Sequence, residues 1–254
     1  MKNTKIAWVA LIALAWSCGP KPAEEDSTEV EVVEEVVVPD NTLTEEEKAT
    51  GWMLLFDGSD PSGWRAFNGD TFPEGWTIED GALKALGKGG DIGGDIVFGP
   101  MEFEEFEMEW DWKISEGGNS GVLYHVVEDP KYHAPYETGP EYQVIDQLGF
   151  PEPLEKWQSI GADYAMTEPD YEGAVKPAGE WNHSKIIFSE EGSSYWLNGK
   201  KTVEFVPYSE EWTAARNSGK WNDFPDYAIA KTGLISLQDH GAVTWFKNIK
   251  IKKL

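Results

Sequence analysis

The stretch that decides the fold is FEMEWDWKI, residues 106–114, in which apolar and charged side chains alternate without a miss. Successive side chains of an extended strand point to opposite faces of a sheet. The apolar face of this stretch carries Phe106, Met108, Trp110, Trp112 and Ile114. This period of two predicts a β-strand that buries one face and exposes the other to solvent.

Short segments of the same kind, separated by turn signals, continue from about residue 49 to the end of the chain. The predicted strands are 122–127, 141–145, 183–188, 194–197, 201–205, 233–238 and 243–251. Asn198-Gly199 lies between two of them and is a strong hairpin signal, because both residues tolerate a positive φ. Residues 210–220 are predicted to form a short helix or an ordered loop. This pattern predicts an all-β fold, a two-sheet antiparallel jelly-roll sandwich.

The composition excludes several classes of function. The chain has 254 residues with 21 Lys and Arg against 46 Asp and Glu, a net charge of -25. Such an acidic chain is repelled by phosphate backbones and anionic lipids, so we expect no nucleic-acid partner. A single Cys excludes an intramolecular disulfide framework and a Cys-rich metal cluster. The 13 Trp residues are compatible with a large core or with platforms for sugar rings.

The first 18 residues have the features of a secretion signal. Lys2 and Lys5 precede the apolar run Ile6–Trp16, which is too short to span a membrane as a helix. Cys18 follows directly and resembles the lipidated Cys of bacterial lipoproteins, although an incidental Cys is the alternative. We therefore expect a lipid-anchored protein of the cell envelope, at the outer membrane and facing the periplasm or the surface, whose only membrane contact is the anchor.

Residues 19–48 carry eleven acidic residues among Pro, Ser and Thr. A segment of this composition buries too little apolar area to offset the entropy of ordering. We predict a disordered acidic linker over 19–48, followed by the sandwich domain over 49–254.

Polar side chains also occupy positions on three predicted strands where a binding surface can form. They are Asn119 and His125, Glu141 and Gln143 with Asp146 just after them, and Gln238 with Asp239 and His240. The alternation places His125 on the face of Gly121 and Leu123. Taken singly, each is more simply explained as a solvent-face, turn or half-buried residue. They can form one site only if the three strands are neighbours, which the sequence does not show.

A different pair of carboxylates lies on the strand at residues 106–114. Glu107 and Glu109 are about 6.8 Å apart on an extended strand, close to the separations that glycosidases use. The pattern resembles the catalytic strand of laminarinase-like sandwich enzymes. Lys113 continues the same face, which favours an ordinary solvated outer face. No metalloprotease, P-loop, serine-hydrolase or dinucleotide motif is present.

Several motifs together resemble the 3-keto-disaccharide hydrolase domain family, of the concanavalin A-like superfamily. They are LFDG at 55–58, GWTIEDG at 75–81, NSG at 119–121, GPEYQVID at 139–146, GEWN at 179–182, WLNG at 196–199, GLISLQDHG at 233–241 and FKNIKI at 246–251. They occur in order over essentially all of residues 51–254. Lys247 stands where the family usually has Arg, so a contact that needs a forked donor is weakened.

The resemblance implies a concanavalin-like jelly roll and a role in bacterial glycan use. It also implies cleavage of glycosides or disaccharides whose sugar carries a ketone at C3. That ketone acidifies the hydrogen on C2, so a base can remove it while an acid protonates the leaving oxygen on C1. Addition of water then completes a net hydrolysis, with direct displacement as the alternative route.

On this basis we expect His240 and Glu141 to be the acid and the base, with Asp146 or His125 as substitutes. The expected substrate-binding residues are Asn119, Gln143, Gln238, Asp239, Trp221 and Lys220. The amides among them would orient hydroxyls or polarise the ketone, and Trp221 and Lys220 would wall the cleft. No redox cofactor is required. A divalent cation such as Ca²⁺, if one is used, would bind Glu141, Asp146 or Asp239 through oxygen.

Two other functions use the same sequence features. One is a non-catalytic carbohydrate-binding domain on the cell surface, because a sandwich with many Trp residues suits binding as well as catalysis. The other is a conventional glycosidase of the laminarinase-like type, acting on unoxidised sugar through Glu107 and Glu109.

Overall fold

The computed structural model describes residues 38–89 and 94–254, and the strands of this part of the chain form two antiparallel sheets. The predicted sandwich is therefore confirmed. The strands are β1 Met53–Leu54, β2 Trp64–Ala66, β3 Trp76–Glu79, β4 Ala82–Leu86, β5 Ile96–Phe98, β6 Phe106–Ile114, β7 Asn119–Val126, β8 Glu141–Ile145, β9 Asn182–Phe188, β10 Ser193–Leu197, β11 Lys200–Phe205, β12 Leu234–Leu237 and β13 Val243–Lys253. The helices are α1 Glu45–Ala49 and α2 Glu210–Arg216, with 3-10 turns at Pro135–Glu137, Lys156–Gln158 and Gly219–Asp223.

The larger sheet has the strand order β11-β10-β9-β6-β13-β4-β3, with β1 added beside β13. The smaller sheet has the order β2-β5-β12-β7-β8. The smaller sheet matters most for function because β12, β7 and β8, the three strands with the unusual polar residues, are consecutive neighbours in it.

Strand β6 lies between β9 and β13 and supplies the centre of the core. Its side chains alternate between buried and half-buried along all nine residues, as the sequence pattern predicts. Trp110 packs edge-on against Tyr142 with ring centroids 5.0 Å apart, and Trp112 Nε1 donates to Ser184 Oγ at 2.8 Å. Large aromatic rings at these positions bury much apolar area, which holds the two sheets together.

The charged residues of β6 lie on the outer face of the larger sheet. There Glu107 pairs with Lys252 at 2.8 Å, and Glu109 pairs with Lys250 at 3.1 Å and Lys185 at 3.5 Å. The pair proposed for a conventional glycosidase is thus engaged in an ion-pair ladder. This arrangement is that of an ordinary solvated sheet face.

The hairpin between β10 and β11 also forms as predicted. Asn198 and Gly199 have φ values of 48° and 85°, so both central residues are in the left-handed region that a tight two-residue hairpin requires. The segment predicted as a helix or a loop forms α2, followed by the 3-10 turn at Gly219–Asp223.

The prediction of a disordered linker is wrong for residues 38–48. Thr44 Oγ1 accepts from Glu47 N at 3.1 Å and Glu47 Oε2 accepts from Thr44 N at 2.7 Å, which caps α1. Asn41 exchanges backbone and side-chain hydrogen bonds with Asn248 on β13 and donates to Gly81 O at 2.8 Å. These specific polar contacts order the segment although it buries little apolar surface.

The predicted signal peptide at 1–18, the lipidated Cys18 and the rest of the linker, 19–37, lie outside the described residues. Within the described part of the chain, no helix is both long and apolar enough to cross a bilayer.

Candidate active site

The three strands that carry the predicted polar residues meet edge to edge. Gly121 on β7 lies opposite Gln143 on β8, and Gln238 N at the end of β12 donates to Gly121 O at 3.0 Å. The neighbourhood on which the site depends is therefore present in the structure.

A pocket of about 210 Å³ opens over these strands. Its lining residues are Asn119, Tyr136, Glu141, Gln143, Tyr164, Lys220, Phe224, Gln238 and His240. Six of the ten residues predicted for catalysis or substrate binding are thus brought together. Strand alternation places Glu141 and Gln143 on the same side of β8, and the turn after β12 adds His240 at an exposed position.

Glu141 is the one acidic residue among those that line the pocket. Its side chain is 5% exposed, and burial raises the pKa of its carboxyl. The charge of Lys220 opposes this rise, whereas the nearby carboxyl groups of Asp95 and Asp163 add to it. Glu141 is therefore placed to hold a proton and to donate it, as a general acid must.

Gly121 makes room for this carboxyl. A Cβ at position 121 would lie 2.4 Å from Glu141 Oε1, closer than two such atoms can approach. Because Gly121 has no side chain, the carboxyl of Glu141 can lie against the backbone of β7 at this position.

Three amide side chains of the pocket have unpaired carbonyl oxygens. Gln143 Oε1, Gln238 Oε1 and Asn119 Oδ1 are buried atoms without a hydrogen-bond partner among the described residues. Gln143 Nε2 donates to Gln158 O at 3.0 Å, which fixes the orientation of that amide. Buried acceptors are normally satisfied, so three unpaired oxygens in one pocket fit a ligand that donates several hydroxyls.

Lys220 closes one side of the pocket. Its ammonium lies over the rings of Tyr164 at 4.5 Å, Trp221 at 4.7 Å and Tyr136 at 5.1 Å. These surroundings lower the pKa of Lys220 by desolvation, and the nearby Glu141 carboxylate acts in the opposite direction. An ammonium held by aromatic faces is well suited to stabilise negative charge on a ligand oxygen.

The prediction that Trp221 walls the cleft is wrong. Trp221 is 2% exposed and stacks on Tyr227 with centroids 3.5 Å apart and planes 6° apart. It belongs to a small core with Trp212 under the 3-10 turn and supports Lys220 from behind.

His125 does not face the pocket. It has a φ of 52°, and the pairing of β12 with β7 shifts register nearby, so the alternation that placed it beside Gly121 and Leu123 breaks. Its ring packs between the sheets, 4.6 Å from that of Phe188, and Nε2 donates to Glu104 O at 2.8 Å. Burial lowers the pKa of His125 to about 4, so this histidine is a neutral core residue.

Asp146 and Asp239 lie outside the pocket lining and cap loops. The Asp146 carboxylate accepts from Gly117 N at 2.8 Å and Gly149 N at 3.0 Å. The Asp239 carboxylate accepts from Gly241 N at 3.0 Å and Gly89 N at 3.1 Å.

The positions of Asp146 and Asp239 also bear on the predicted cation site. With Asp146 and Asp239 engaged by backbone amides, neither joins Glu141, and the described residues contain no cluster of three His, Cys, Asp or Glu side chains able to hold a metal ion. The predicted ligands therefore do not fit a shared cation.

Sequence reasoning missed the aromatic residues Tyr136, Tyr164 and Phe224, which come from loops. Tyr164 is held at the edge of the smaller sheet because its N donates to Glu141 O at 3.0 Å. These rings lie outside the strands, so the alternation that marked the polar residues gives no signal for them.

The pocket of the sandwich thus combines an acid, an imidazole, an ammonium and several unpaired amide acceptors, which suit a ligand with many hydroxyls. The chain belongs to the family described as the 3-keto-alpha-glucoside-1,2-lyase-like domain, whose model matches residues 51–252. The family expected from the sequence motifs is therefore confirmed.

Individual relatives agree with this assignment. A 3-keto-disaccharide hydrolase of Bacteroides thetaiotaomicron is 31% identical over 275 residues, covering 96% of this chain and 87% of that protein. A crystal structure of a glycosyl hydrolase candidate from Parabacteroides distasonis is 48% identical with a TM-score of 0.79, covering 85% of this chain and 100% of that one. A second such structure from the same organism is 27% identical with a TM-score of 0.64, covering 80% and 99%.

Proposed function

We propose that this protein cleaves glycosides whose sugar carries a ketone at C3, using the pocket over β12, β7 and β8. The observation that carries the proposal is that Glu141, His240, Lys220 and the three unpaired amide oxygens line one pocket. Membership of the family and the name of the Bacteroides relative support the same class of substrate.

A ketone at C3 allows an elimination reaction, and the residues of the pocket can supply the base, the acid and the positive charge that this reaction needs. The imidazole of His240 takes the proton from C2, and the electron pair forms an enolate whose oxygen, on C3, is stabilised by the ammonium of Lys220. The pair then moves to form the C1–C2 double bond, the bond from C1 to the leaving oxygen breaks, and the carboxyl of Glu141 protonates that oxygen. Water adds across the double bond, its oxygen to C1 and a proton to C2, which completes a net hydrolysis.

The amides hold the sugar during these steps. Because Gln143 Nε2 is engaged by Gln158 O, the free group of Gln143 is an acceptor. This favours binding of a sugar hydroxyl over polarisation of the ketone. Asn119 and Gln238 provide further acceptors of the same kind.

The test uses two substrates, an aryl glucoside and its 3-keto derivative, which differ only in the oxidation of C3. The release of the phenol is measured for each. We expect release from the keto form alone. Release from the plain glucoside supports a conventional glycosidase instead, and binding without release supports a carbohydrate-binding domain. Repeating the reaction in heavy water distinguishes the routes, because elimination followed by hydration places deuterium at C2 of the product and direct displacement does not.

We also propose that the protein is anchored in the cell envelope through a lipid on Cys18. The support is the basic and apolar run that precedes this single Cys. Replacement C18A should move the protein from the membrane fraction to the soluble fraction, and an unchanged distribution would contradict the anchor.

A further inference from the structure

Asp95 is a further residue on the face of the smaller sheet that carries the candidate active site. It directly precedes β5, and Phe67 N donates to Asp95 O at 2.9 Å, which continues the pairing of β2 with β5 by one residue. Ile96 belongs to the core between the sheets, whereas Val97 packs with Leu123 on the pocket face of β7. Because side chains alternate along an extended segment, Asp95 points to the same face as Val97.

The strand register places Asp95 at the end of a row that crosses the floor of the pocket. The pairing of β12 with β5, continued by one residue, sets Gln238 beside Asp95. Gln238 N donates to Gly121 O, and Gly121 lies opposite Gln143. Asp95 is also one of the carboxyl groups that raise the pKa of Glu141. It therefore adjoins the site, although it does not line the pocket itself.

The carboxylate of Asp95 holds the turn that carries His240. Its Oδ1 accepts from Asp239 N at 2.9 Å, just beyond the last paired residues of β12 and β5. Asp239 accepts in turn from Gly241 N at 3.0 Å and from Gly89 N at 3.1 Å. Carboxylates thus fix the backbone on both sides of His240, whereas its side chain is exposed. An exposed side chain has few packing contacts, so the direction of this imidazole depends on the turn.

We propose that Asp95 is a positioning residue of the candidate active site, which sets the place of the His240 imidazole through the hydrogen bond to Asp239 N. The inference rests on the proposed function, in which His240 removes the proton from C2. A base must lie within hydrogen-bond reach of that proton, and a displacement of about 1 Å can lower the rate by about 10²-fold. The acceptor atom matters here more than the charge, because an amide oxygen can accept from the same N–H.

The test compares D95N, D95E and D95A on the 3-keto aryl glucoside. D95N keeps an acceptor oxygen at the same place, so kcat should fall by less than about threefold. D95E moves the acceptor by one methylene and D95A removes it, so both should lower kcat by about tenfold or more. KM should change by less than about twofold in all three variants, because Asp95 does not line the pocket.

The matched control is D57A, which removes a carboxylate from an exposed turn outside the pocket lining. Asp57 Oδ1 accepts from Ser59 N and Asp60 N, both at 2.8 Å, so the variant loses the same kind of hydrogen bond. It should have the kcat of the native protein. Equal losses in D95N and D95A would overturn the proposal, because the charge would then be what matters. Native kcat in D95E and D95A would overturn it as well, and D95N and D95E decide the question if D95A does not fold.

NMR spectroscopy tests the positioning role without any substrate. The ring-proton signals of His240 are identified by their loss in H240Q. We expect D95E and D95A to shift or broaden these signals, while the signals of His133 and His183 stay in place and D95N resembles the native protein. Unchanged His240 signals in D95E and D95A would refute the positioning role. Failure of the native protein to cleave the 3-keto substrate would contradict the proposed function instead, and the NMR result would still decide whether Asp95 positions His240.

Discussion

Replacing Asp163 by Asn tests the electrostatics beneath the pocket. Asp163 is fully buried, its Oδ1 accepts from Tyr195 OH at 3.4 Å, and its Oδ2 has no partner among the described residues. Burial raises the pKa of this carboxyl from 3.8 to about 8, and the hydrogen bond from Tyr195 offsets only part of that rise. The native protein therefore keeps a proton here that the unfolded chain loses near pH 4.

The sign of the effect follows from this difference. Between pH 4 and 8 the native state binds one more proton at Asp163 than the unfolded state, so the free energy of unfolding falls as the pH rises. One proton corresponds to about 1.4 kcal/mol per pH unit, which is on the order of 3 kcal/mol between pH 5 and pH 7. Asn carries a similar donor and acceptor but no titrating proton, so D163N should lose this dependence.

The assay is urea unfolding followed by Trp fluorescence at pH 5, 6 and 7 for the native protein, D163N and the surface control E152Q. The free energy of unfolding of D163N relative to that of the native protein should rise by about 3 kcal/mol from pH 5 to pH 7, whereas E152Q should follow the native curve. Parallel curves for D163N and native protein would refute the argument, because they would show that Asp163 is already ionised in the folded state.

Three further substitutions test the site and its surroundings. E141Q should lower kcat on the 3-keto substrate by about 10²-fold or more while substrate binding is retained, because it removes the acidic proton, and an unchanged kcat would exclude Glu141 as the acid. G121A should lower kcat strongly, because its Cβ would meet Glu141 Oε1 at 2.4 Å, whereas G192A, where the added Cβ meets no atom within 4 Å, should behave as the native protein in the same kinetic assay. E109Q should leave cleavage unchanged and lower the free energy of unfolding by about 1 kcal/mol or less, since it removes partly exposed ion pairs on the outer face of the larger sheet. Loss of cleavage in E109Q would instead support a conventional glycosidase that acts through Glu107 and Glu109.

The strands were predictable because the alternation of apolar and polar side chains that marks them lies within each segment of the sequence. The alternation at 106–114 depends only on the period of an extended chain, and it predicted β6 with both ends correct. The hairpin at Asn198-Gly199 was predictable for a similar reason, since its backbone conformation is a property of those two residues.

The errors arose where distant parts of the chain act on one another. His125 left its predicted face because a register shift between β12 and β7 turns the backbone there. Residues 38–48 are ordered because Asn41 forms hydrogen bonds with Asn248 and Gly81, which are far away in the sequence.

The sequence by itself determined an acidic chain with a two-sheet sandwich, the family, and a set of polar residues with the right chemistry for a sugar. Tertiary structure alone decided which of those residues share a pocket, why Glu141 holds its proton, and that loop aromatics such as Phe224 complete the site. The physical reason is that side-chain direction in a strand is a local property. Proximity between strands, desolvation and the fields of neighbouring charges exist only after the chain has folded.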